Sequence, residues 1–499
     1  MTNSTLIKLN EKAVKFVSLP LKMFINGEWV ESLSGEKMNV IDPSTKEIIT
    51  QVPKGDISDV DLAVKAARKA FDRGPWTTMK PNDRALLLLR LADLIEQNAE
   101  ELAHLETLDT GRPINFSRFV VATCVDQFRY YAGWATKVTG ETIPVSTPGN
   151  ILNYTRREPL GVCVGITAWN GPLSMAVMKL AAPLAVGNTC IIKPASETPL
   201  ATIRLAELIE EVGFPEGVVN IITGPGSVIG DAFTTHDGVD KISFTGSTEV
   251  GRNIMRNSAS TIKKVTLELG GKSAHIIFDD ADYQQAIQNA ANAIFMNSGQ
   301  ACFAGSRLFV QKNIYDQFVK DLAEYTKNYK LGNGFDPSTV LGPITTAAQK
   351  KTILEYIDLA QKEGAELVVG GDATGGDLDK GFFVQPTILA ACNNNMRVAR
   401  EEIFGPVVVA IPFETVEEVI EMANDTEYGL GGGICTTDVK KAHKVAHALR
   451  TGNVWVNTYG LMDVASPFGG YKQSGIGREN GAAAIEMFTE VKNIWINLD

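Results

Sequence analysis

The sequence lacks the features that mark several large classes of protein. No apolar run approaches the roughly 18 to 20 residues that a membrane-spanning helix needs. No run of lysine or arginine stands out and the formal net charge is -11, so the basic surface of a nucleic-acid-binding protein is missing. No G-x-x-x-x-G-K-[ST] motif occurs, which disfavours a P-loop nucleotidase. We therefore expect neither a membrane nor a nucleic acid as a partner.

Cysteine and histidine are also scarce, with six and five copies among 499 residues. No C-x-x-C pair occurs, which argues against both a disulfide framework and a zinc site. His443 and His447 lie in a Lys/Ala-rich helical pattern without an acidic partner, so we interpret them as a solvated helix face. Met1 to Pro20 has no charged region followed by an apolar one, so we expect a cytoplasmic protein.

The composition is that of a globular protein, with 44% hydrophobic and 21% charged residues. At 499 residues the chain is long for a single core, and about two to four domains are expected. Asn26-Gly27 between apolar residues predicts a hairpin from Phe24 to Trp29. Apolar positions recur at helical spacing from Ile57 to Phe71 and from Asn82 to Leu108, which predicts long amphipathic helices.

Two series of alternating strands and helices follow. The first predicts helices that begin near Pro172, Pro199, Ser227 and Ser247, and strands at Gly161 to Ala168, Thr189 to Lys193, Val218 to Thr223, Lys241 to Phe244, Val265 to Leu269 and His275 to Phe278. The second predicts helices near 281–295, 313–329 and 345–362, and strands near 366–369, 406–412, 431–435 and 453–456. This pattern predicts a doubly wound parallel sheet and a second α/β domain, with a ligand crevice at the carboxyl ends of the strands.

Two β-rich segments, Thr139 to Arg157 and Val491 to Asn497, have no obvious local partner. They can pair with each other or with another subunit. Both alternatives stay open at the level of sequence.

One cysteine differs from the rest. Cys124, Cys163 and Cys190 lie in apolar runs, where a cysteine behaves as a small core residue. Cys302 lies instead in the small, turn-rich stretch Met296 to Ser306, which suits a loop that approaches another molecule closely. Two glycine-bearing turns, at 224–230 and 244–249, join a strand to a helix and are either phosphate sites or simple connections.

Several stretches together resemble the aldehyde dehydrogenase superfamily, in that family's motif order from about Phe24 onward. They are Ala168-Trp169-Asn170-Gly171-Pro172, Lys193-Pro194, Phe244-Thr245-Gly246-Ser247, Val265 to Lys272, the Cys302 loop, Glu402 to Val407 and Pro467 to Gly475. The resemblance implies a Rossmann-like cofactor domain (24–138 and 158–269), a catalytic domain (270–478) and a small β oligomerisation element (139–157 and 486–499). It also implies a homo-oligomer, either a dimer or a tetramer.

The resemblance implies oxidation of an aldehyde to a carboxylic acid by an NAD- or NADP-dependent enzyme. Cys302 resembles the family's nucleophile, and Glu268 its general base for the thiol and later for water. Asn170 corresponds to the amide that stabilises the oxyanion, with the Cys302 backbone N–H. Lys179 matches a lysine near the proton path. Taken alone, these residues have plainer readings: a solvated glutamate, a turn before a helix and an exposed lysine.

A larger set of residues matches the family's cofactor contacts. Lys193 resembles the ligand of the adenosine ribose, Glu402 that of the nicotinamide ribose, and Phe404 bounds the nicotinamide. The full implied set is Ile166, Thr167, Trp169, Lys193, Ser196, Gly226, Gly230, Phe244, Gly246, Ser247, Leu269, Gly270, Glu402 and Phe404. Ser196 stands where many NAD-preferring members carry a glutamate, and serine does not repel a 2'-phosphate, so we expect NADP to be tolerated.

The motif alignment also implies an apolar, methionine-rich substrate tunnel. Its residues are Gly171, Met175, Met178, Met296, Ala301, Phe303, Tyr459, Met462 and Phe468. Methionine adapts to several shapes, so hydrophobic aliphatic or aromatic aldehydes are expected, and several of these methionines can equally be core filler. Asp463 faces either in or out, and ionic pairing with a cationic aldehyde is the lesser alternative.

Three other functions share parts of this pattern. An acylating dehydrogenase would pass the thioester to coenzyme A, but it has less need of Glu268. A non-catalytic protein of the same fold would have lost Cys302, Glu268 or Asn170, and all three are present. A thiol esterase would form no reduced cofactor, which distinguishes it by experiment.

Overall fold

Two large β-sheets organise the chain in this computed structural model, which describes residues 7–373 and 375–499. The eight strands of the first sheet, numbered in chain order, lie in the spatial order β18 (Gly475–Ile476), β10 (Lys264–Glu268), β9 (Lys241–Thr245), β6 (Val162–Ile166), β7 (Thr189–Lys193), β8 (Val219–Ile221), β1 (Met23–Ile25) and β2 (Glu28–Val30). The five strands from β10 to β8 are parallel. The outer strands β18, β1 and β2 pair antiparallel.

The order of the parallel strands makes this sheet doubly wound. From β6 the chain builds outward through β7 and β8, then returns to the other side of β6 and builds through β9 and β10. The strand order therefore reverses between β6 and β9, and ligands bind at the carboxyl edge of such a switch point. The predicted Rossmann-like sheet is confirmed.

The second sheet has seven strands. Their spatial order is β13 (Glu366–Asp372), β14 (Val384–Ala390), β15 (Val407–Phe413), β12 (Arg307–Gln311), β11 (Ala274–Ile277), β16 (Gly431–Cys435) and β17 (Asn453–Val456). All neighbours are parallel except β13 and β14. The sequence did not predict β12 or β14, and the strand predicted in the first series at His275 to Phe278 lies in this second sheet as β11.

Two short antiparallel ribbons complete the β structure. One joins β3 (Lys37–Ile41) to β4 (Ile48–Pro53), and the other joins β5 (Ile151–Pro159) to β19 (Thr489–Asn497). The two β-rich segments therefore pair with each other, which was the first of the two alternatives. The predicted hairpin is also present: Asn26 and Gly27 connect β1 to β2 with φ values of 56° and 81°.

Seventeen helices in the described ranges cover the sheets. They are α1 (Glu11–Ser18), α2 (Ile57–Arg73), α3 (Pro75–Thr78), α4 (Pro81–Gln97), α5 (Ala99–Thr110), α6 (Ile114–Trp134), α7 (Pro172–Val186), α8 (Leu200–Val212), α9 (Asp231–Thr235), α10 (Thr248–Ser258), α11 (Tyr283–Phe295), α12 (Tyr315–Tyr325), α13 (Ala347–Lys362), α14 (Arg397–Arg400), α15 (Val416–Asn424), α16 (Val439–Ala448) and α17 (Gly481–Met487). No helix in this described part of the chain is long and apolar enough to cross a membrane.

The prediction of one helix from Asn82 to Leu108 is wrong. The helix ends at Gln97 and a new one begins at Ala99. The side chain of Asn98 donates to the Leu94 carbonyl at 2.9 Å, and its backbone has φ -108° and ψ 20°. An asparagine that bonds the preceding turn in this way competes with the helical ladder, so the chain changes direction there.

Each large sheet is packed on both faces. On the first sheet, Cys190 and Ile192 face the core of α4, α6, α7 and α8, while Val164 and Ile242 face α2 on the other side. The second sheet has buried apolar clusters on its two faces as well. Strands that are buried on both faces read as continuous apolar runs, which is why most of them were found from the sequence.

Candidate active site

The carboxyl edge of the first sheet faces the amino edge of the second sheet. Glu268 is the last residue of β10, and the chain passes from it through Gly270 and Gly271 into β11. The Cys302 loop connects α11 to β12 and arrives at the same place. A Cβ atom at Gly271 would lie 2.2 Å from the Cys302 carbonyl oxygen, so the loop packs directly on this glycine. The two sheets thereby bring the proposed nucleophile and base together.

The Cys302 loop is held by hydrogen bonds on both sides of the cysteine. The Gln300 carboxamide oxygen accepts from the Thr345 N–H at 2.9 Å, and the Gly305 N–H donates to the Ala293 carbonyl at 2.9 Å. Ser298 donates to the Gly342 carbonyl at 2.8 Å, and a Cβ at Gly299 would lie 2.0 Å from the Gly405 carbonyl oxygen. Ser298 and Gly299 therefore fasten the loop to neighbouring segments of the chain.

Cys302 is half-buried, while the other five cysteines are buried, and all six are free. Burial raises the pKa of the Cys302 thiol, and the carboxylates of Glu268 and Glu402 raise it further. The backbone N–H groups of Cys302 and Phe303 oppose this effect. Because a thiol must lose its proton to attack a carbonyl carbon, Cys302 needs a base close by.

Glu268 is buried, with only 2% of its surface exposed. Neither carboxylate oxygen has a hydrogen-bond partner among residues 7–373 and 375–499. Burial raises the pKa of Glu268 well above its usual value, as does nearby Glu479, while Lys179 and Arg478 lower it. The plain reading of a solvated glutamate is wrong, and the group has free capacity to take up or release a proton.

Asn170 lies between the end of β6 and the start of α7, opposite the Cys302 loop. Its side-chain amide donates to the Gln300 carbonyl at 2.9 Å, which leaves the second amide hydrogen available. Its backbone carbonyl accepts from the side chains of Arg112 and Asn297. Hydrogen bonds thus hold Asn170 through both its side chain and its backbone carbonyl.

Lys179 is buried, so the reading of an exposed lysine is wrong. Its ammonium group lies 2.6 Å from Glu479 Oε1 and 3.1 Å from Ser243 Oγ. Ser243 also donates to Glu479 Oε1 at 3.1 Å. Sequence reasoning missed Glu479, although it is the partner that allows a lysine to be buried beside Glu268.

The residues predicted to bind a cofactor gather at the switch point. Ile166 ends β6, Phe244 lies in β9, Lys193 ends β7, and Thr167 follows β6 directly. Ser247 is the N-cap of α10 and Gly246 precedes it, while Gly226 and Gly230 bound a helical turn after β8. The structure therefore brings the predicted residues to one edge of the sheet.

Several groups at this edge have spare hydrogen-bonding capacity. Thr167 Oγ1 is buried without a partner in the described ranges. Lys193 is 4% exposed and donates to the Pro194 carbonyl at 3.1 Å, while an ammonium has three hydrogens. Burial lowers the pKa of Lys193 to about 8. Polar groups of this kind can hydrogen-bond a polar ligand such as a ribose.

A second group of predicted cofactor residues lies nearer to Cys302. Glu402 Oε1 accepts from the Gly271 N–H at 2.9 Å, and a Cβ at Gly270 would lie 2.3 Å from Glu402 Oε2. Burial raises the pKa of Glu402 to about 7. Phe404 and Trp169 meet edge to face, with ring centroids 5.2 Å apart. Leu269 donates its N–H to the Ser474 carbonyl.

Five of the predicted substrate residues form one apolar cluster with Cys302: Met296, Ala301, Phe303, Tyr459 and Phe468. Tyr459 donates its hydroxyl to the Phe303 carbonyl at 2.7 Å, so it also fixes the cysteine loop. Met175 lies in contact range of Gly171, and Met178 is half-buried in α7. Met462 lies outside the cluster and is 57% exposed.

Trp455 and Gly460 also contribute to this cluster and were missed. The Trp455 ring lies 5.8 Å from Phe303 and 4.9 Å from Tyr459. A Cβ at Gly460 would lie within 3.4 Å of both Phe303 and Met296. The signal for Trp455 was present in the sequence, since it lies in predicted strand 453–456. The exposed Asp463 accepts from the Ala465 N–H at 2.8 Å, which ties it into its own turn.

Comparison with known proteins identifies the family. The sequence model of the aldehyde dehydrogenase family matches residues 29–494. The DhaS protein of Bacillus subtilis (strain 168) is 49% identical over 498 residues, covering 100% of both chains. Human retinaldehyde dehydrogenase 3 is 48% identical over 480 residues, 96% of this chain and 93% of its own. This chain therefore belongs to the aldehyde dehydrogenase family.

The solved structures agree with this assignment. The NAD+ complex of aldehyde dehydrogenase from Bacillus cereus matches with a TM-score of 0.97 and 47% identity, covering 99% of this chain and 100% of its own. The chain is thus an oxidoreductase that oxidises aldehydes to acids with NAD or NADP. In the described ranges, no group of three or more His, Cys, Asp or Glu side chains could hold a metal ion.

Proposed function

We propose that this enzyme is a hydrolytic aldehyde dehydrogenase that acts on hydrophobic aliphatic or aromatic aldehydes. The proposed intermediates are a thiohemiacetal and then a thioester, both on Cys302. The observation that carries the proposal is Glu268, a buried carboxylate beside the thiol whose oxygens are unpaired among the described residues. Such a group serves a reaction in which protons leave first the thiol and later water.

In the proposed mechanism Cys302 attacks the aldehyde carbon. A bond forms between Sγ and carbon, Glu268 takes the thiol proton, and the carbonyl electron pair moves to oxygen. The free amide hydrogen of Asn170 and the Cys302 N–H stabilise that oxyanion, at about 3 to 4 kcal/mol for a well-placed donor. When bound, NAD or NADP accepts a hydride. Glu268 passes the thiol proton to solvent and is a carboxylate again before it takes a proton from water. That water attacks the thioester carbon, and collapse of the adduct breaks the carbon–sulfur bond and releases the acid and the Cys302 thiolate.

The cofactor residues have separate proposed roles. Lys193 and Thr167 hold the adenosine ribose side through their spare donors and acceptors. Glu402 holds the nicotinamide ribose, and the Phe404 ring limits the space for the nicotinamide. Lys179 and Glu479 form an ion pair beside the proposed proton path. Lys179 lowers the pKa of Glu268 and Glu479 raises it.

The apolar cluster supports the proposed substrate class. Phe303, Trp455 and Phe468 surround the approach to Cys302 with aromatic rings, and Met296 adds an adaptable side chain. Asp463 is held in its own turn, which disfavours a role in binding a cationic aldehyde. The similarity to human retinaldehyde dehydrogenase 3 is in keeping with a bulky apolar aldehyde.

Ser196 supports use of NADP as well as NAD. Its hydroxyl donates to the Gly224 carbonyl at 3.0 Å and carries no charge, while the carboxylate that acts on Lys193 is that of Glu197. Comparing kcat/KM for the two cofactors tests this point. Activity confined to NAD would overturn it.

We further propose a cytoplasmic homo-oligomer, either a homodimer or a homotetramer. The ribbon of β5 and β19 leaves Leu152, Val491 and Trp495 exposed, and such a ribbon can pair with that of a second subunit. Six free cysteines agree with a reducing compartment. The proposed domains are 24–138 with 158–269, and 270–478, although β18 of the latter segment extends the first sheet.

A panel of aldehydes tests the proposed function. Formation of the reduced cofactor is followed with NAD and with NADP for aliphatic, aromatic and charged aldehydes. We expect the highest kcat/KM for apolar aldehydes and none of this activity in Cys302→Ala. The matched control is Cys392→Ala, which removes a buried thiol outside the site. Full activity in Cys302→Ala, or a preference for charged aldehydes, would contradict the proposal.

A further inference from the structure

A buried ion pair outside the proposed catalytic set brackets the Asn170 turn. Arg112 is 4% exposed and Glu106 is fully buried, and Arg112 Nη1 lies 3.1 Å from Glu106 Oε1. Arg112 Nη2 donates to the Asn170 carbonyl. Glu106 Oε2 accepts from the Leu173 N–H at 3.3 Å. The Arg112–Glu106 pair therefore binds both the Asn170 carbonyl and the Leu173 N–H, one on each side of Gly171.

The turn needs such a restraint because a glycine follows the asparagine. Gly171 has φ -156° and ψ 58°, and glycine has access to more backbone conformations than any other residue. Rotation of the peptide that links Asn170 to Gly171 would move the Asn170 side chain. The side chain itself is tied to the Cys302 loop by its 2.9 Å bond to Gln300.

Arg112 packs against neighbouring segments, although its Nε and the Glu106 Oε1 make no hydrogen bond within residues 7–373 and 375–499. It directly follows Gly111, where a Cβ would lie 2.3 Å from Pro343 Cγ. Its guanidinium lies 5.3 Å from the centre of the Phe116 ring. Burial of a cation and an anion costs free energy that is recovered only with good geometry. The Arg112–Glu106 ion pair is buried next to the proposed oxyanion amide of Asn170, so a role in holding that amide would explain why both charges lie there.

We propose that Arg112, held by Glu106, is a positioning residue that fixes the Asn170 amide for the oxyanion. This inference rests on the proposed function, since it assigns the oxyanion to Asn170. Arg112 acts through the backbone carbonyl of Asn170 and does not contact the aldehyde. Misplacing an oxyanion donor by about 1 Å costs on the order of 100-fold in rate.

A double-mutant cycle separates positioning from general stability. The four proteins are wild type, Arg112→Met, Asn170→Ala and the double variant, and kcat/KM is measured for one aldehyde. When Asn170 is present, we expect Arg112→Met to lower kcat/KM by about 10- to 100-fold. In the Asn170→Ala background, Arg112→Met should cause no additional loss of kcat/KM. A merely structural role would give the same loss in both backgrounds, which would overturn the proposal.

Two further measurements identify the affected step. Alkylation of Cys302 by iodoacetamide needs no oxyanion, so its rate should be equal in wild type and Arg112→Met. The Kd for NAD, measured by calorimetry, should also be unchanged. A loss of kcat/KM that is matched by slower alkylation or weaker NAD binding would contradict a role through Asn170.

If Arg112→Met does not fold, the conservative variant Arg112→Lys takes its place in the double-mutant cycle with Asn170→Ala. Lysine keeps the positive charge but cannot reach Glu106 and the Asn170 carbonyl with one planar group. We expect it to lose less activity than Arg112→Met, again only when Asn170 is present. Wild-type kcat/KM in Arg112→Lys and Arg112→Met alike would overturn the inference. Failure of the wild type to oxidise any aldehyde would instead refute the proposed function.

Discussion

Glu268 and Glu479 are two buried carboxylates in one part of the core, and they differ in their partners. Glu479 Oε1 is bonded to the Lys179 ammonium at 2.6 Å and to the Ser243 hydroxyl at 3.1 Å. Glu268 is just as deeply buried, yet its oxygens have no partner within residues 7–373 and 375–499. The same side chain is thus a fixed anion at one position and an available acid or base at the other.

The difference shows what a structural role and a chemical role require of a buried carboxylate. A paired carboxylate stabilises the fold only while its cation is present, because an unpaired buried charge is costly. An unpaired buried carboxylate binds a proton more strongly than an exposed one, which the raised pKa of Glu268 indicates, so its ionised form is a stronger base than an ordinary glutamate. Four experiments on three variants test whether the two groups differ in this way.

The largest expected effect is on catalysis by Glu268→Gln. Removing a general base typically lowers the rate by about 100- to 10,000-fold, so kcat for aldehyde oxidation should fall within that range. Glu355→Gln removes a carboxylate of an exposed ion pair on α13 and should leave kcat unchanged. If Glu268→Gln keeps more than about a tenth of the wild-type kcat, Glu268 is not the general base and does not differ from Glu479 in its chemical role.

The next effect is on stability and concerns the paired carboxylate. Lys179→Met leaves Glu479 buried without its cation, and the free energy of unfolding should fall by about 3 to 5 kcal/mol. The matched control is Lys351→Met, whose ion pair with Glu355 spans 3.7 Å at the surface and should contribute less than about 1 kcal/mol. Urea denaturation measures both values. Equal losses would show that Glu479 does not need Lys179.

A smaller effect concerns pH. The pKa of Glu268 is raised in the folded protein, so the folded state keeps a proton that the unfolded state loses near the usual value of 4.5. The contribution of Glu268 to stability is therefore fully present below that value and is lost as pH rises toward the folded pKa. Glu268→Gln should gain stability relative to wild type between mildly acidic and mildly alkaline pH. A constant difference in Tm over this range would refute the raised pKa.

The smallest effect is expected for Ser243→Ala. This change removes one hydrogen bond to Glu479 but leaves the ion pair with Lys179, so the loss should be about 1 kcal/mol. Ser260, whose hydroxyl bonds the Asn257 carbonyl at the surface, supplies the control Ser260→Ala with a change within about 0.5 kcal/mol. If Ser243→Ala lowers the free energy of unfolding as much as Lys179→Met does, the hydroxyl of Ser243 and not the ammonium of Lys179 is the main partner of Glu479.

The sequence identified the residues that carry local signals. The doubly wound sheet followed from buried strands that read as apolar runs, and the motifs around Asn170, Glu268 and Cys302 place those residues on facing edges. The roles assigned to these residues remain predictions until the variants are made. The break at Asn98 was missed because a side-chain bond to Leu94 ended a pattern that is otherwise helical.

Partners that are distant in sequence could not be found in this way. Lys179 and Glu479 are separated by 300 positions, and Arg112 and Asn170 by 58. A lone charged residue in a helical pattern looks exposed until its partner is known, which is why an exposed lysine was the plainer alternative for Lys179. Contacts of this kind form when segments that are distant in sequence pack together, and they leave no periodic trace in the sequence.

The most direct test of Glu268 as the base for Cys302 is the alkylation rate of that thiol in Glu268→Gln. The carboxylate acts on the thiol in two opposite ways, because its charge raises the thiol pKa while its basicity would remove the proton. Iodoacetamide labelling followed by mass spectrometry reports Cys302 separately from the five buried cysteines. We predict slower alkylation of Cys302 in Glu268→Gln at neutral pH than in wild type. Equal or faster alkylation would show that Glu268 acts on the thiol only as a charge, and would contradict its assignment as the base.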